Sequence, residues 1–174
     1  MTDNALAAAD AILIAFGANL PSRKYGSPRE TCLAALAALE TRGVKILRRS
    51  PFYESAPVPI SDQPWYVNGV ALVETPLAPE GLLALLHELE REFGRERREQ
   101  NEARVMDLDL IAYGRRVQDA APPILPHPRM SDRAFVLLPL RDIAPGWVHP
   151  VSGWTVEQLA EALPAGQDIR RAAD

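Results

Sequence analysis

VMDLDLIAYG, residues 105–114, is an apolar run broken by two aspartates and closed by glycine. Its length and its Val, Leu, Ile and Tyr content read as a β-strand over 105–113. Strand side chains alternate between faces. Val105, Asp107, Asp109, Ile111 and Tyr113 are therefore expected on one face, and Met106, Leu108, Leu110 and Ala112 on the core face.

Upstream, Pro79 and Glu80 open a helix in which Leu82, Leu85, Leu86, Leu89 and Phe93 recur at helical spacing, and Gly94 ends it. Residues 66–75 (YVNGVALVET) read as a strand, and 55–64 (SAPVPISDQP) as a proline-rich loop. Residues 44–54 (VKILRRSPFYE) read as a strand with an interruption at Pro51. Ser27-Pro28-Arg29-Glu30 is a capping box with proline at the first helical position, so a helix is expected from there to Arg42, stopped by Gly43. Residues 11–17 (AILIAFG) form a first strand. Downstream lie a second proline-rich stretch (APPILPHPRM), a short apolar helix near 133–141 and a last helix opened by the capping box Thr155-Val156-Glu157-Gln158. The order βαββαβ with two further helices is the split βαβ pattern of a ferredoxin-like α+β sandwich.

At 174 residues the chain suffices for one domain with a sizeable core, expected over 11–174, with 1–10 a disordered tip. At this length no second domain is expected. Its 47% hydrophobic and 24% charged content is that of a globular protein, and its net charge of -4 argues against a sequence-independent nucleic-acid binder. The lone Cys32, among Leu33, Ala34, Ala35 and Leu36, is expected in helix packing. No run approaches the ~20 apolar residues of a membrane helix. MTDNALAAAD has no basic n-region, so a cytoplasmic location is expected.

Asp107 and Asp109 on one strand face repel each other and lose hydration. A cation between them removes the conflict, and carboxylate pairs with open positions are how proteins hold Mg²⁺. On spacing alone a solvated face balanced by arginine is an equal reading. The flanking chemistry favours metal: Arg104 precedes the strand, and Arg95, Arg97 and Arg98 lie in the charged stretch 95–104 (RERREQNEAR). Phosphoryl transfer needs positioning, metal ions bridging phosphates, and cations where negative charge develops. An exposed arginine-rich loop that closes over ATP supplies those cations; alone it reads as a solvated connection. The chain carries no G-x-x-x-x-G-K-[ST] phosphate loop and no protein-kinase signature set.

Several separated motifs then appear in one order: FGANL (16–20), SPFYESAPV (50–58), DQPWYVNGV (62–70), LHELEREFGR (86–95), ARVMDLDLIAYG (103–114), LPHPRM (125–130) and RAFVLLPL (133–140). Together they resemble the 6-hydroxymethyl-7,8-dihydropterin pyrophosphokinases over about residues 11–163. The resemblance implies an enzyme of folate synthesis, and at this length the chain is expected to carry that activity alone, as a monomer. It would bind ATP with two Mg²⁺ ions and transfer pyrophosphate to 6-hydroxymethyl-7,8-dihydropterin, releasing AMP, with no nucleic-acid or membrane partner. Asp107 and Asp109 match the family's metal carboxylates, and Arg95 and Arg104 the loop arginines that stabilise the transferred group. His87, Glu90, Arg97, His127 and Arg133 match nucleotide-facing positions. Ser55, Ala56 and Val58 match the loop that reads the pterin edge, Tyr66 and Asn68 the pterin-binding strand, and Phe135 the aromatic that stacks on the ring. Asn101-Glu102-Ala103 stands where many members carry a tryptophan and a Gly-Pro pair, the loop is one residue shorter, and Pro128 replaces an aromatic.

Read by themselves, Phe135 fits ordinary core, Tyr66 a strand edge and His87 a helix surface. His127 between two prolines and Asn68 inside an apolar strand fit a ligand contact better. Another D-x-D metal-dependent transferase would share Asp107 and Asp109 but leaves the motifs at 50–70 unexplained. A ferredoxin-like regulatory module would have no use for Arg95 and Arg104 beside paired carboxylates.

Overall fold

A computed structural model describes residues 8, 10–94 and 105–174. Its elements are β1 (Ile12–Ala18), α1 (Pro28–Thr41), β2 (Lys45–Arg49), β3 (Tyr53–Ser55), β4 (Tyr66–Glu74), α2 (Pro79–Glu92), β5 (Asp107–Tyr113), α3 (Ala134–Ile143), α4 (Val156–Glu161) and β6 (Ile169–Arg171). The strands form one antiparallel sheet in the order β5-β1-β4-β3-β6, with β2 also paired to β4. This is the ferredoxin-like α+β fold, with β2 and β3 together in the place of a single strand.

The local reasons are those the sequence carries. Ser27 Oγ accepts from the Glu30 N–H, while the Glu30 carboxylate accepts from the Ser27 N–H, which closes the capping box of α1. Gly43, at φ 84°, takes the chain out of that helix into β2. The break between β2 and β3 has a compensating bond. Ser50 donates its N–H to Val70 O, its own carbonyl accepts from Arg49 Nη1, and the Val70 N–H turns instead to Ser50 Oγ at 3.0 Å. A side-chain oxygen thus replaces the missing ladder acceptor at a buried position.

The sheet buries both faces. Against one, α1 and α2 place Leu36, Leu39, Leu82, Leu86 and Leu89 over Ile14, Phe16, Leu108 and Leu110. Full burial of each such side chain stabilises the fold by about 1.5–3 kcal/mol. Cys32 lies in this core, where burial pushes its thiol pKa up to about 12 and leaves it inert. Against the other face, α3, α4 and the segment between them cover Leu13, Val70 and Leu72 with Val136, Leu137 and Leu140 of α3, Trp147 of the connecting segment and Leu159 of α4.

One expectation is corrected. Strict alternation along 105–113 holds only to Ile111. Ile14 pairs with Leu110 and Leu13 with Ala112, so Ile111 is an extra residue in β5. Beyond that bulge the faces exchange: Ile111 and Ala112 both pack under α3 and α4, and Tyr113 joins the first core. Within 1–10, Ala8 is helical and buried, and residues 1–7 and 9 lie outside the described residues. The tail also adds β6, which the sequence pattern did not mark. It pairs with β3 and is held by Arg170–Glu54 and Arg171–Asp142 ion pairs at 2.8 and 3.2 Å.

Candidate functional site

The α3–α4 layer covers only one end of its sheet face. At the other end β5, β1, β4 and β3 run side by side, and register places Asp107 opposite Gly17, Gly17 opposite Asn68, and Asn68 opposite Tyr53. Asp109, Ala15, Tyr66 and Ser55 share that face. All of these but Tyr53 floor a pocket of about 580 Å³, a volume within the range of small-molecule sites. Its walls are the loop Ala56–Pro59, the first turn of α3 with Arg133 and Phe135, the turn bearing Arg129 and Asp132, and the segment Pro164–Gln167.

The floor has two chemically distinct ends. At one, Asp107 and Asp109 both line the pocket and are partly exposed, as the alternation required. Their cross-strand neighbours Gly17 and Ala15 put almost no side chain between the carboxylates and the open space. At the other end Asn68 and Ser55 are each 5% exposed, and Asn68 Nδ2 donates to Ser55 Oγ at 2.6 Å. That bond fixes the amide, so Asn68 presents Oδ1 as an acceptor and Ser55 keeps its own O–H to donate. Above, the Arg133 guanidinium lies 5.3 Å from the Phe135 ring centroid.

His127 sits beside the acidic end. Its backbone N–H donates to Ile111 O at 2.8 Å, and its Nδ1 accepts from the Arg129 N–H at 3.2 Å. Burial pulls its pKa down to about 4, helped by the charges of Arg133 and Arg129 and opposed by Asp107. At neutral pH the imidazole is uncharged, and with Nδ1 accepting, the ring proton is on Nε2.

Of the residues expected at the site, Asp107, Asp109, Ser55, Ala56, Val58, Tyr66, Asn68, Arg133 and Phe135 meet in the pocket lining. His127 is not among the lining residues, and neither are His87 and Glu90. His87 and Glu90 lie on α2, which packs on the other sheet face, and buried Glu90 accepts the Leu108 N–H at the outer edge of β5, at 3.3 Å. Arg95, Arg97 and Arg104 lie outside the described residues. Lining residues the sequence did not single out include Arg129, Asp132 and the segment Pro164–Gln167. Arg129 was within LPHPRM, whereas nothing in the periodicity of the tail marks Gln167.

Fold and pocket define a ferredoxin-like α+β domain with a small-molecule cleft where its C-terminal helices leave the sheet open. A sequence model of the 7,8-dihydro-6-hydroxymethylpterin-pyrophosphokinase (HPPK) family matches residues 13–145, and the chain belongs to that family. It is 40% identical over 154 residues to the 2-amino-4-hydroxy-6-hydroxymethyldihydropteridine pyrophosphokinase of Pseudomonas aeruginosa, covering 88% of this chain and 91% of that protein. It is 38% identical over 154 residues to the folic acid synthesis protein fol1 of Pneumocystis carinii, covering 88% of this chain and 20% of the relative. The chain thus spans a fifth of that protein's length, and 62% of a Synechocystis pyrophosphokinase to which it is 44% identical over 121 residues, 70% of this chain. In structure it resembles a Plasmodium falciparum HPPK-DHPS triple mutant with SDX-DHP, with TM-score 0.64 and 13% identity over 87% of this chain and 44% of that one. At that identity the likeness speaks to the fold.

Among the described residues no helix is long and apolar enough to cross a membrane.

Proposed function

We propose that this chain transfers pyrophosphate from ATP to 6-hydroxymethyl-7,8-dihydropterin, releasing AMP, as a step of folate synthesis. The observation that carries this reading is the two-ended floor. A carboxylate pair suited to a metal–polyphosphate and a fixed amide–hydroxyl pair suited to a ring edge occupy one pocket.

The ring end suits a flat heterocycle with donors and acceptors along one edge. Asn68 Oδ1 accepts from a ring N–H or amino group, Ser55 donates to a ring acceptor, and Phe135 supplies an apolar face. The acidic end suits Mg²⁺. Among the described residues no group of three His, Cys, Asp or Glu gathers to form a protein-only metal cage. Mg²⁺ does not require one, since it keeps waters and takes one or two carboxylates plus phosphate oxygens. Asp107 and Asp109 would hold it, in two ions on this reading, and its charge would neutralise the polyphosphate during transfer.

In the transfer, the hydroxymethyl oxygen forms a bond to the β-phosphorus as the bond from that phosphorus to the α,β-bridging oxygen breaks. The bridging oxygen leaves with AMP, and the hydroxyl proton is released. Asn68, Ser55 and Phe135 orient the acceptor so that its hydroxymethyl arm points toward the aspartates. Arg133, with neutral His127 donating from Nε2, gives the nucleotide positive charge and a hydrogen bond without adding a proton that titrates near pH 7. Arg95, Arg97 and Arg104 belong to the same reading as the cations of a closing loop.

Mixing the protein with ATP, Mg²⁺ and the dihydropterin alcohol should produce AMP and the pterin diphosphate in equal amounts. AMP that forms equally without the pterin would exclude this reaction.

A further inference from the structure

The helix α3 starts without a cap of its own. Its N-cap residue, Arg133, makes no side-chain capping bond, so the Ala134 N–H needs an acceptor from elsewhere. Gln167, 33 positions away, supplies it: Gln167 Oε1 accepts from the Ala134 N–H at 3.0 Å. The other end of the same amide donates to Asp132 O at 2.9 Å and to Pro164 O at 3.2 Å. Both kinds of hydrogen-bonding atom are engaged, which fixes the orientation of the side chain.

The neighbouring residues fasten to the opposite side of the pocket. Asp168 O accepts from the Ala56 N–H at 2.9 Å, and Ile169 pairs with Ser55 in the β3–β6 ladder. Gly166, at φ 88°, makes the turn that brings the chain across. Three consecutive residues, 167 to 169, therefore run from the helix that carries Phe135 to the strand that carries Ser55.

We propose that Gln167 is a positioning residue for the pterin end of the site. It sets how far Phe135, on the first turn of α3, stands from the Asn68–Ser55 floor. The inference rests on the pterin-binding reading above. Losing these bonds frees the first turn of α3 from the strap and lets the ring slot widen, which weakens binding of a flat ring held between wall and floor. Gln167→Glu keeps the acceptor for Ala134 but sets a second carboxylate oxygen against two carbonyls. Gln167→Met keeps the length and loses every bond.

The test titrates 6-hydroxymethyl-7,8-dihydropterin into the full chain by calorimetry. Gln167→Met should weaken binding about tenfold and Gln167→Glu by less, the loss expected when a net hydrogen bond or two is removed. In a Phe135→Leu background Gln167→Met should have little further effect, because the group it positions is gone. Equal pterin affinity in wild type and folded Gln167→Met overturns the inference, as does the same loss with and without Phe135. Should Gln167→Met fail to fold, Gln167→Glu is read by the same two criteria. A wild-type chain that binds no pterin overturns the functional reading itself, and this inference with it.

Discussion

Gly17 faces Asn68 across the β1–β4 ladder, and the Asn68 amide occupies the space that a side chain on Gly17 would need. A methyl group there would sit 2.6 Å from Asn68 Oδ1 and 3.3 Å from the Val67 carbonyl oxygen. The glycine is therefore a requirement of its neighbour and not of its own backbone. Gly17→Ala should push the amide off its bond to Ser55 and weaken dihydropterin binding by about tenfold, a cost of ~1.4 kcal/mol. Comparing pterin and ATP-analogue affinities checks it, since a loss confined to the pterin is expected and an equal loss in both would contradict it.

Asp107→Ala and Asp109→Ala should each remove most of the turnover, about a hundredfold or more, while thermal unfolding stays near that of the wild type. Both side chains face the pocket and neither belongs to a packed core. Normal AMP release in either variant, or its collapse on purification, would refute the assignment.

His127 gives a pH signature in the ligand-free, metal-free protein. Its pKa is about 4 when folded against ~6.5 when unfolded, so between those values the unfolded chain binds the extra proton. Its contribution to stability is then complete above pH ~6.5 and is lost as pH falls toward 4. Between pH 7 and pH 5 the wild type should lose about 1 kcal/mol more than His127→Gln, after allowance for solvent screening of a half-buried group. Urea melts of both proteins at the two pH values measure the difference, and parallel losses would show that the imidazole is not held neutral.

Ser50→Ala should destabilise the fold by about 1–3 kcal/mol, because it leaves the buried Val70 N–H without its acceptor. Amide exchange at Val70 should speed up while exchange in α1 changes little. A denaturation midpoint equal to wild type would mean the ladder closes by another route.

The elements were legible because each carries its own punctuation. The capping boxes at Ser27 and Thr155, the glycines at 43, 94 and 114, and the leucine spacing of α2 are local signals, and local signals survive into the fold. The pocket floor was legible for a related reason: Asp107, Asp109 and Asn68 are polar residues in strands that otherwise bury their side chains. What stayed hidden depends on residues distant in sequence. The bulge at Ile111 shows only against β1, the Ser50 bond only against Val70, and the strap at Gln167 only when the tail lies between β3 and α3. His87 and Glu90 lie on α2, whose Glu90 meets the edge of the strand that carries the aspartates, and their nucleotide-facing role stays a reading of the motif.

The extra residue at position 111 divides one strand into two regions with independent tolerances. On the N-terminal side the aspartates keep their orientation through pairing with Ala15 and Gly17; on the C-terminal side Ala112 and Tyr113 follow a separate alternation. A change that shortened or lengthened the chain at Ile111 would reorient the part under α3 and α4 and leave the acidic pair aimed as before. The chemistry and the scaffold it stands on can therefore drift apart in sequence without either losing its register.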